Sequence, residues 1–333
     1  MTNLNRILAA IILIALMSVT TNSSAQTKAS VNKPVSNFRI IGYLRVSNIS
    51  DGTVANVDLS KINYLNIAFI NPDQDGNFSV PKGLSAVLRT AHAKNVKVLA
   101  SMGGGLAPAY YSTLLLDERR NDFVNRIVKL ASDNDFDGVD IDLEGDRIHT
   151  NYETFVTTLS AALKQKNKIL TAAVATVYKL KYTDRALAQF DFINIMSYDK
   201  TGPWNLNNPG QHSPYEMAVS DLDYWTNTRG IAKEKLSLGV PFYGYGFGGN
   251  APADMSFHGI IAQYPGAENM DQVAVRGGGI IYYNGIATIK NKTTLALQKC
   301  GGIMIWQLLQ DASGNKSLLT LINDTVNHAK ANK

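Results

Sequence analysis

Asp137, Asp140, Asp142 and Glu144 fall within one run of eight residues, Asp-Gly-Val-Asp-Ile-Asp-Leu-Glu. Side chains of an extended strand alternate between its two faces. Asp140, Asp142 and Glu144 therefore point one way, and Val139, Ile141 and Leu143 the other. Residues two apart on such a strand lie ~6–7 Å from each other. Three carboxyl groups in a row on an interior face are costly unless paired or protonated, and stability gives no reason to keep them. Charges so close cannot all ionise, so at least one pKa must rise. The last carboxyl, Glu144, is then a candidate general acid near neutral pH. An acidic cluster could instead hold a hard cation such as calcium. The spacing is not that of an EF-hand, and a row along one strand disfavours the multidentate loop that calcium prefers.

Such a row needs a rigid strand whose other face is covered. Eight β-rich runs are present: Phe38 to Val46, Tyr64 to Ile70, Val96 to Met102, Phe136 to Leu143, Ile169 to Ala175, Phe190 to Tyr198, Leu236 to Phe242 and Gly302 to Leu308. They are short, rich in Ile and Val, and often apolar on both faces, as parallel strands covered by helices are. Apolar residues at helical spacing lie between them, at Gly83 to Ala93, Phe123 to Ala131, Tyr152 to Leu163, Met217 to Trp225 and Ile286 to Leu297. The alternation predicts an α/β fold, a closed TIM (β/α)8 barrel. A barrel needs ~250 residues, and the chain has 333. The acidic run is the fourth strand. Glu144 then sits at the C-terminal mouth, where barrel enzymes place their chemistry.

The chain resembles glycoside hydrolase family 18, the chitinase family. Asp137, Asp140, Asp142 and Glu144 match the family motif DxxDxDxE in full. Ser101-Met102-Gly103-Gly104 is similar to its SxGG on strand three, and Met196-Ser197-Tyr198-Asp199 to its MxYD on strand six. Trp306, in Gly-Ile-Met-Ile-Trp-Gln-Leu, resembles the tryptophan of strand eight. The resemblance implies that Glu144 protonates the glycosidic oxygen. It implies that Asp142 orients the substrate's N-acetyl group, that Asp140 shares a proton with Asp142, and that Tyr198 hydrogen-bonds the acetamide. It further implies a substrate-binding set of Tyr43, Phe69, Gly103, Gly104, Met196, Asp199, Trp204, Tyr243 and Trp306, with Tyr43 supporting the site from behind. Ser101 and Asp137 complete the motifs. The substrate implied is chitin or another glycan containing N-acetylglucosamine, with its own acetamide oxygen as nucleophile, an exception to the two-carboxylate scheme. No cofactor is implied.

Two departures from the family pattern bear on the site. Many members carry Arg after Pro-Phe-Tyr-Gly on strand seven, where this chain has Tyr245. Many also insert a small α+β domain between strands seven and eight. Residues 246–301 leave no room for one of the usual size, so one wall of the cleft is expected to be missing and cleavage to be of the endo type. Two other functions compete. One is an endo-β-N-acetylglucosaminidase acting on the chitobiose core of N-glycans. The other is an inactive chitin-binding lectin on the same barrel; such relatives usually lose the acid at the position of Glu144.

The ends and the composition bound the setting. Residues 1–25 read as a secretory signal, with Arg6, an apolar stretch from Ile7 to Val19 and the small residues Ser23, Ser24 and Ala25. Residues 26–37 read as a flexible tether, and 38–330 as the catalytic barrel. A secreted protein, extracellular or periplasmic, is expected, with no membrane span and a monomeric state. Net charge is +5, of which Arg6 contributes one. That surplus is too small and dispersed to argue for nucleic acid. Cys300 is the only cysteine, so no disulfide forms within the chain. The five histidines show neither HxH nor HExxH, which argues against a metal site.

Overall fold

In chain order the strands are β1 (Arg39–Arg45), β2 (Tyr64–Ala68), β3 (Lys97–Gly103), β4 (Gly138–Asp142), β5 (Ile169–Val174), β6 (Phe192–Ile195), β7 (Leu236–Pro241), β8 (Tyr243–Phe247), β9 (Asp254–Ser256), β10 (Gln272–Ala274), β11 (Ile280–Tyr282) and β12 (Gly302–Trp306). Eight of them close into a parallel barrel in the order β1-β12-β7-β6-β5-β4-β3-β2. This is the TIM (β/α)8 barrel that the strand–helix alternation predicts. The structure is a computed structural model that describes residues 37–50 and 52–332. The signal segment, and the tether apart from Asn37, lie outside the described residues.

The two faces of the strands bury different chemistry. Val139 and Ile141 of β4 point outward into the main apolar core, with Phe123, Val124 and Ile127 of the helix Asp117–Asp133 and Phe155 of the helix Tyr152–Lys164. Fully burying each such side chain is worth ~1.5–3 kcal/mol. That shell holds the barrel shut and leaves the inward positions free for polar groups. A smaller inner cluster fills part of the barrel: Ile41, Tyr43, Ala68, Phe192, Tyr198 and Met304.

Register sets what flanks the acids. Ser101 of β3 and Thr171 of β5 pair with Asp140 on either side, and Gly103 pairs with Asp142. Residues in register point to the same face, so two hydroxyl side chains flank Asp140 laterally.

The stretch after β7 holds more than the single helix read from sequence. Strands β8 to β11 form an antiparallel sheet in the order β10-β11-β8-β9, with the helix Phe257–Gln263 after β9. Three of these strands have three residues each, too few to show alternation. The chain also ends in a helix, Leu318–Ala331, that the strand–helix reading omitted. It buries Leu318, Leu319, Ile322 and Val326, and Ser317 caps its N-terminus.

Candidate active site

Asp140 is wholly buried inside the barrel and ringed by donors. The Tyr43 hydroxyl and the Ser101 hydroxyl each donate to its Oδ2 at 2.7 Å, and Thr171 donates to Oδ1 at 2.5 Å. Asn194 Nδ2 donates to the Tyr43 oxygen at 3.3 Å, so the Tyr43 proton is committed to Asp140. Hydroxyl protons directed at both oxygens of a carboxyl favour its ionised form. Burial pushes Asp140 upward, and these hydrogen bonds oppose it.

Asp142 lies one step nearer the mouth under opposite conditions. It is 4% exposed, and its Oδ1 is buried with no hydrogen-bond partner. Burial first, then the charges of Glu144 and Asp140, push its pKa well above the ordinary carboxylate range. The proton of the pair thus sits on Asp142 and the charge on Asp140. Glu144 follows in extended conformation, φ −124° and ψ 158°, which continues the alternation past the strand end. Burial raises its pKa from 4.5 to about 7; the charge of Asp199 adds to that, and Arg147 opposes it.

Glu144 opens into a cleft of about 1090 Å³ lined by Gly105, Tyr178, Met196, Tyr198, Asp199, Trp204 and Met217, among others. Trp306 stacks on Phe69, centroids 5.5 Å apart with 23° between planes, and tilts against Tyr43 at 5.5 Å. Trp204 is 61% exposed and meets Tyr245 edge-on at 5.3 Å. The arrangement offers a proton donor near neutrality, a buried acid pair behind it, and aromatic faces of the kind that pack on sugar rings.

The sequence model described as Glycosyl hydrolases family 18 matches residues 39–311. The chain belongs to this family. Among solved structures it is similar to the GH18 chitinase ChiB from the chitin utilization locus of Flavobacterium johnsoniae. The two share 37% identity, with TM-score 0.81 over 87% of this chain and 94% of that one. It is also similar to a chitinase from Bacteroides thetaiotaomicron, at 28% identity and TM-score 0.77 over 86% and 96% of the two chains. A chitinase-like effector of Moniliophthora roreri is 30% identical over 235 residues, which are 59% of this chain and 56% of that protein. The chain thus spans little more than half of that relative.

Within the family 18 motifs, the structure brings Asp140, Asp142, Glu144, Ser101 and Tyr198 together and gives other residues new positions. Asp137 stands at the opposite end of β4. Its Oδ2 accepts from Val98 N at 2.7 Å and meets His92 Nε2 at 2.9 Å, so it ties strands together away from the cleft. Tyr43 and Tyr243 are 1% and 5% exposed. Their hydroxyls donate to Asp140 and to Asp199 respectively, which makes both of them supports for the acids. Gly103 and Gly104 serve close packing. A Cβ at Gly103 would lie 2.1 Å from the Asp142 carbonyl oxygen, and one at Gly104 2.4 Å from the Phe69 ring, both at positive φ. Tyr198 is 7% exposed at the cleft wall, its hydroxyl 3.7 Å from Met304 Sδ.

Thr171, Asn71, Tyr111, Arg147 and His212 were not found by motif. Asn71 clamps Gly103, donating to its carbonyl and accepting from its N–H, and Tyr111 donates to Asn71. Thr171, Asn66 and Asn194 shared one legible signal: each is a lone polar residue inside an otherwise apolar barrel strand.

Proposed function

We propose that the protein is a secreted chitinase that cleaves β-1,4 bonds between N-acetylglucosamine units by substrate-assisted, retaining catalysis, chiefly within the chain. The observation that carries this is the graded acid row. A charged Asp140 and a protonated Asp142 stand beneath Glu144, whose pKa is about 7. Glu144 donates its proton to the glycosidic oxygen. Asp142 receives the acetamide N–H while the acetamide oxygen attacks the anomeric carbon. Tyr198 holds the acetamide carbonyl, and Trp306 floors the ring. The lectin reading leaves a shifted Glu144 over a buried acid pair without a use. The exposed face of Trp204 on the leaving-group side suits a linear neutral polymer better than a branched N-glycan.

Endo action follows from what lines the cleft. Its residues come from the loops after β3, β4, β5 and β6 and from the helix Tyr215–Asp223, and none comes from the sheet β8 to β11. A groove open along one side lets chains bind internally. Soluble chitin should give a spread of oligomers at the earliest time points; dimers alone from the outset would exclude this mode.

The pH dependence follows from Glu144. A general acid works protonated, so kcat/KM should fall as pH rises through about 7. The measurement is kcat/KM on a fluorogenic chitobioside across neutral and alkaline pH. A rate that holds level well above that point would remove Glu144 as the donor.

A further inference from the structure

We propose that Lys292 is a positioning residue: through Ser213 it holds residues 197–200 from behind, and with them Tyr198 and Asp199 at the cleft wall. Lys292 belongs to the helix Ile286–Lys299 and is wholly buried. Its Nζ donates to the Ser213 carbonyl at 2.6 Å, to Ser213 Oγ at 2.6 Å and to Asn284 Oδ1 at 2.7 Å. Asn284 Nδ2 donates to the same Ser213 carbonyl at 2.9 Å. Ser213 Oγ directs its own proton to the Ser197 carbonyl at 2.6 Å, so toward Lys292 it accepts. One residue earlier, the His212 carbonyl accepts from Lys200 N at 2.9 Å. His212 and Ser213 therefore grip residues 197–200 at both ends, and Lys292 and Asn284 grip Ser213.

Residues 197–200 need such a hold. Asp199 takes φ 61° without being a glycine. A backbone of that kind persists only where its surroundings fix it. The fixing groups come from a distance: Asn284 and Lys292 lie in the stretch between β7 and β12, none of which lines the cleft. Lys292 directs all three bonds at residues outside its own helix. Packing of that helix alone gives no reason to bury an amine, since an apolar side chain would serve it better. Burial pushes the amine down to about 7, against the charges of Asp271, Asp221 and Glu216. A neutral amine keeps two of the three N–H donors, so the hold does not depend on a charge.

The consequence for catalysis rests on the reading of the site as a chitinase, in which Tyr198 holds the acetamide as its oxygen attacks. A wall that yields then costs rate more than affinity. Lys292→Met fills nearly the same space and removes every donor. It is expected to lower kcat on a fluorogenic chitobioside by ~10–10² with KM within about twofold, since a misplacement of about 1 Å can cost ~10² in rate. Amide hydrogen exchange, read by mass spectrometry, should rise in residues 197–213. Ser213→Ala cuts the same route one step later. The double variant should therefore lose little more than Lys292→Met alone, whereas independent roles would multiply. An unchanged kcat in Lys292→Met, an exchange rise confined to its own helix, or losses that multiply overturn the proposal. Should Lys292→Met not fold, Ser213→Ala carries the test. It keeps the Lys292 bonds to the Ser213 carbonyl and to Asn284, and it must still lower kcat and loosen residues 197–200; a wild-type value of either overturns the proposal. If the wild type cleaves no N-acetylglucosamine polymer, the chitinase reading fails, and the exchange result still decides the hold.

Discussion

Glu144→Gln is expected to lower kcat on a fluorogenic chitobioside by at least ~10²–10⁴ while the protein stays folded. The amide has nearly the same shape and no acidic proton. Stability should respond in a way that a structural glutamate would not produce. The folded-state pKa of Glu144 is raised from 4.5 to about 7. A carboxyl with a raised pKa binds its proton more tightly in the folded state. The native protein therefore loses stability as pH climbs from about 4.5 to about 7, where the side chain must ionise while buried. Gln cannot ionise and escapes that loss. The variant should melt near the wild type in acid and above it in mild alkali. Wild-type turnover in Glu144→Gln would sink the assignment, whatever the melting curves show.

The acid row was legible because its information lies along one strand. Asp140, Asp142 and Glu144 share a face by alternation alone, and φ and ψ of Glu144 keep that alternation beyond the strand end. What surrounds the row was less legible, since it depends on register between strands. Thr171 is 31 residues from Asp140 in sequence and meets it only because β4 and β5 pair Asp140 with Thr171. The glycines of strand three were read toward substrate. Their need for positive φ and bare Cα comes from the Asp142 carbonyl and the Phe69 ring, which other segments bring in. Tyr43 was read as a support from behind, but which acids Tyr43 and Tyr243 hold depends on other segments, and only the hydrogen bonds to Asp140 and Asp199 show it. His212 gave no signal, because it lies beside Asp199 only through the fold of the loop they share and neither residue belongs to a metal-like spacing.

Asp142→Asn separates the charge of Asp142 from its shape. The variant's amide oxygen can still accept the acetamide N–H, and its side chain fills the same space between Asp140 and Glu144. What it cannot do is become an anion. In the resting protein Asp142 holds the proton and Asp140 the charge. As the acetamide oxygen attacks the anomeric carbon, positive charge develops on the acetamide. The hydroxyls of Ser101 and Thr171 that now donate to Asp140 are free to rotate, so Asp140 can take the proton and leave the charge on Asp142. An anion preorganised beside the developing cation stabilises the transition state more than the ground state. Asp142→Asn should therefore cost ~10²–10³ in kcat, with little change in KM. The same step fixes two further outcomes. A polymer without N-acetyl groups should bind and not be cut. Proton NMR of fresh product should show the β-anomer first, because two displacements at the anomeric carbon restore its configuration. An initial α-anomer would mean direct attack by water, and Asp142 would then have no cation to stabilise.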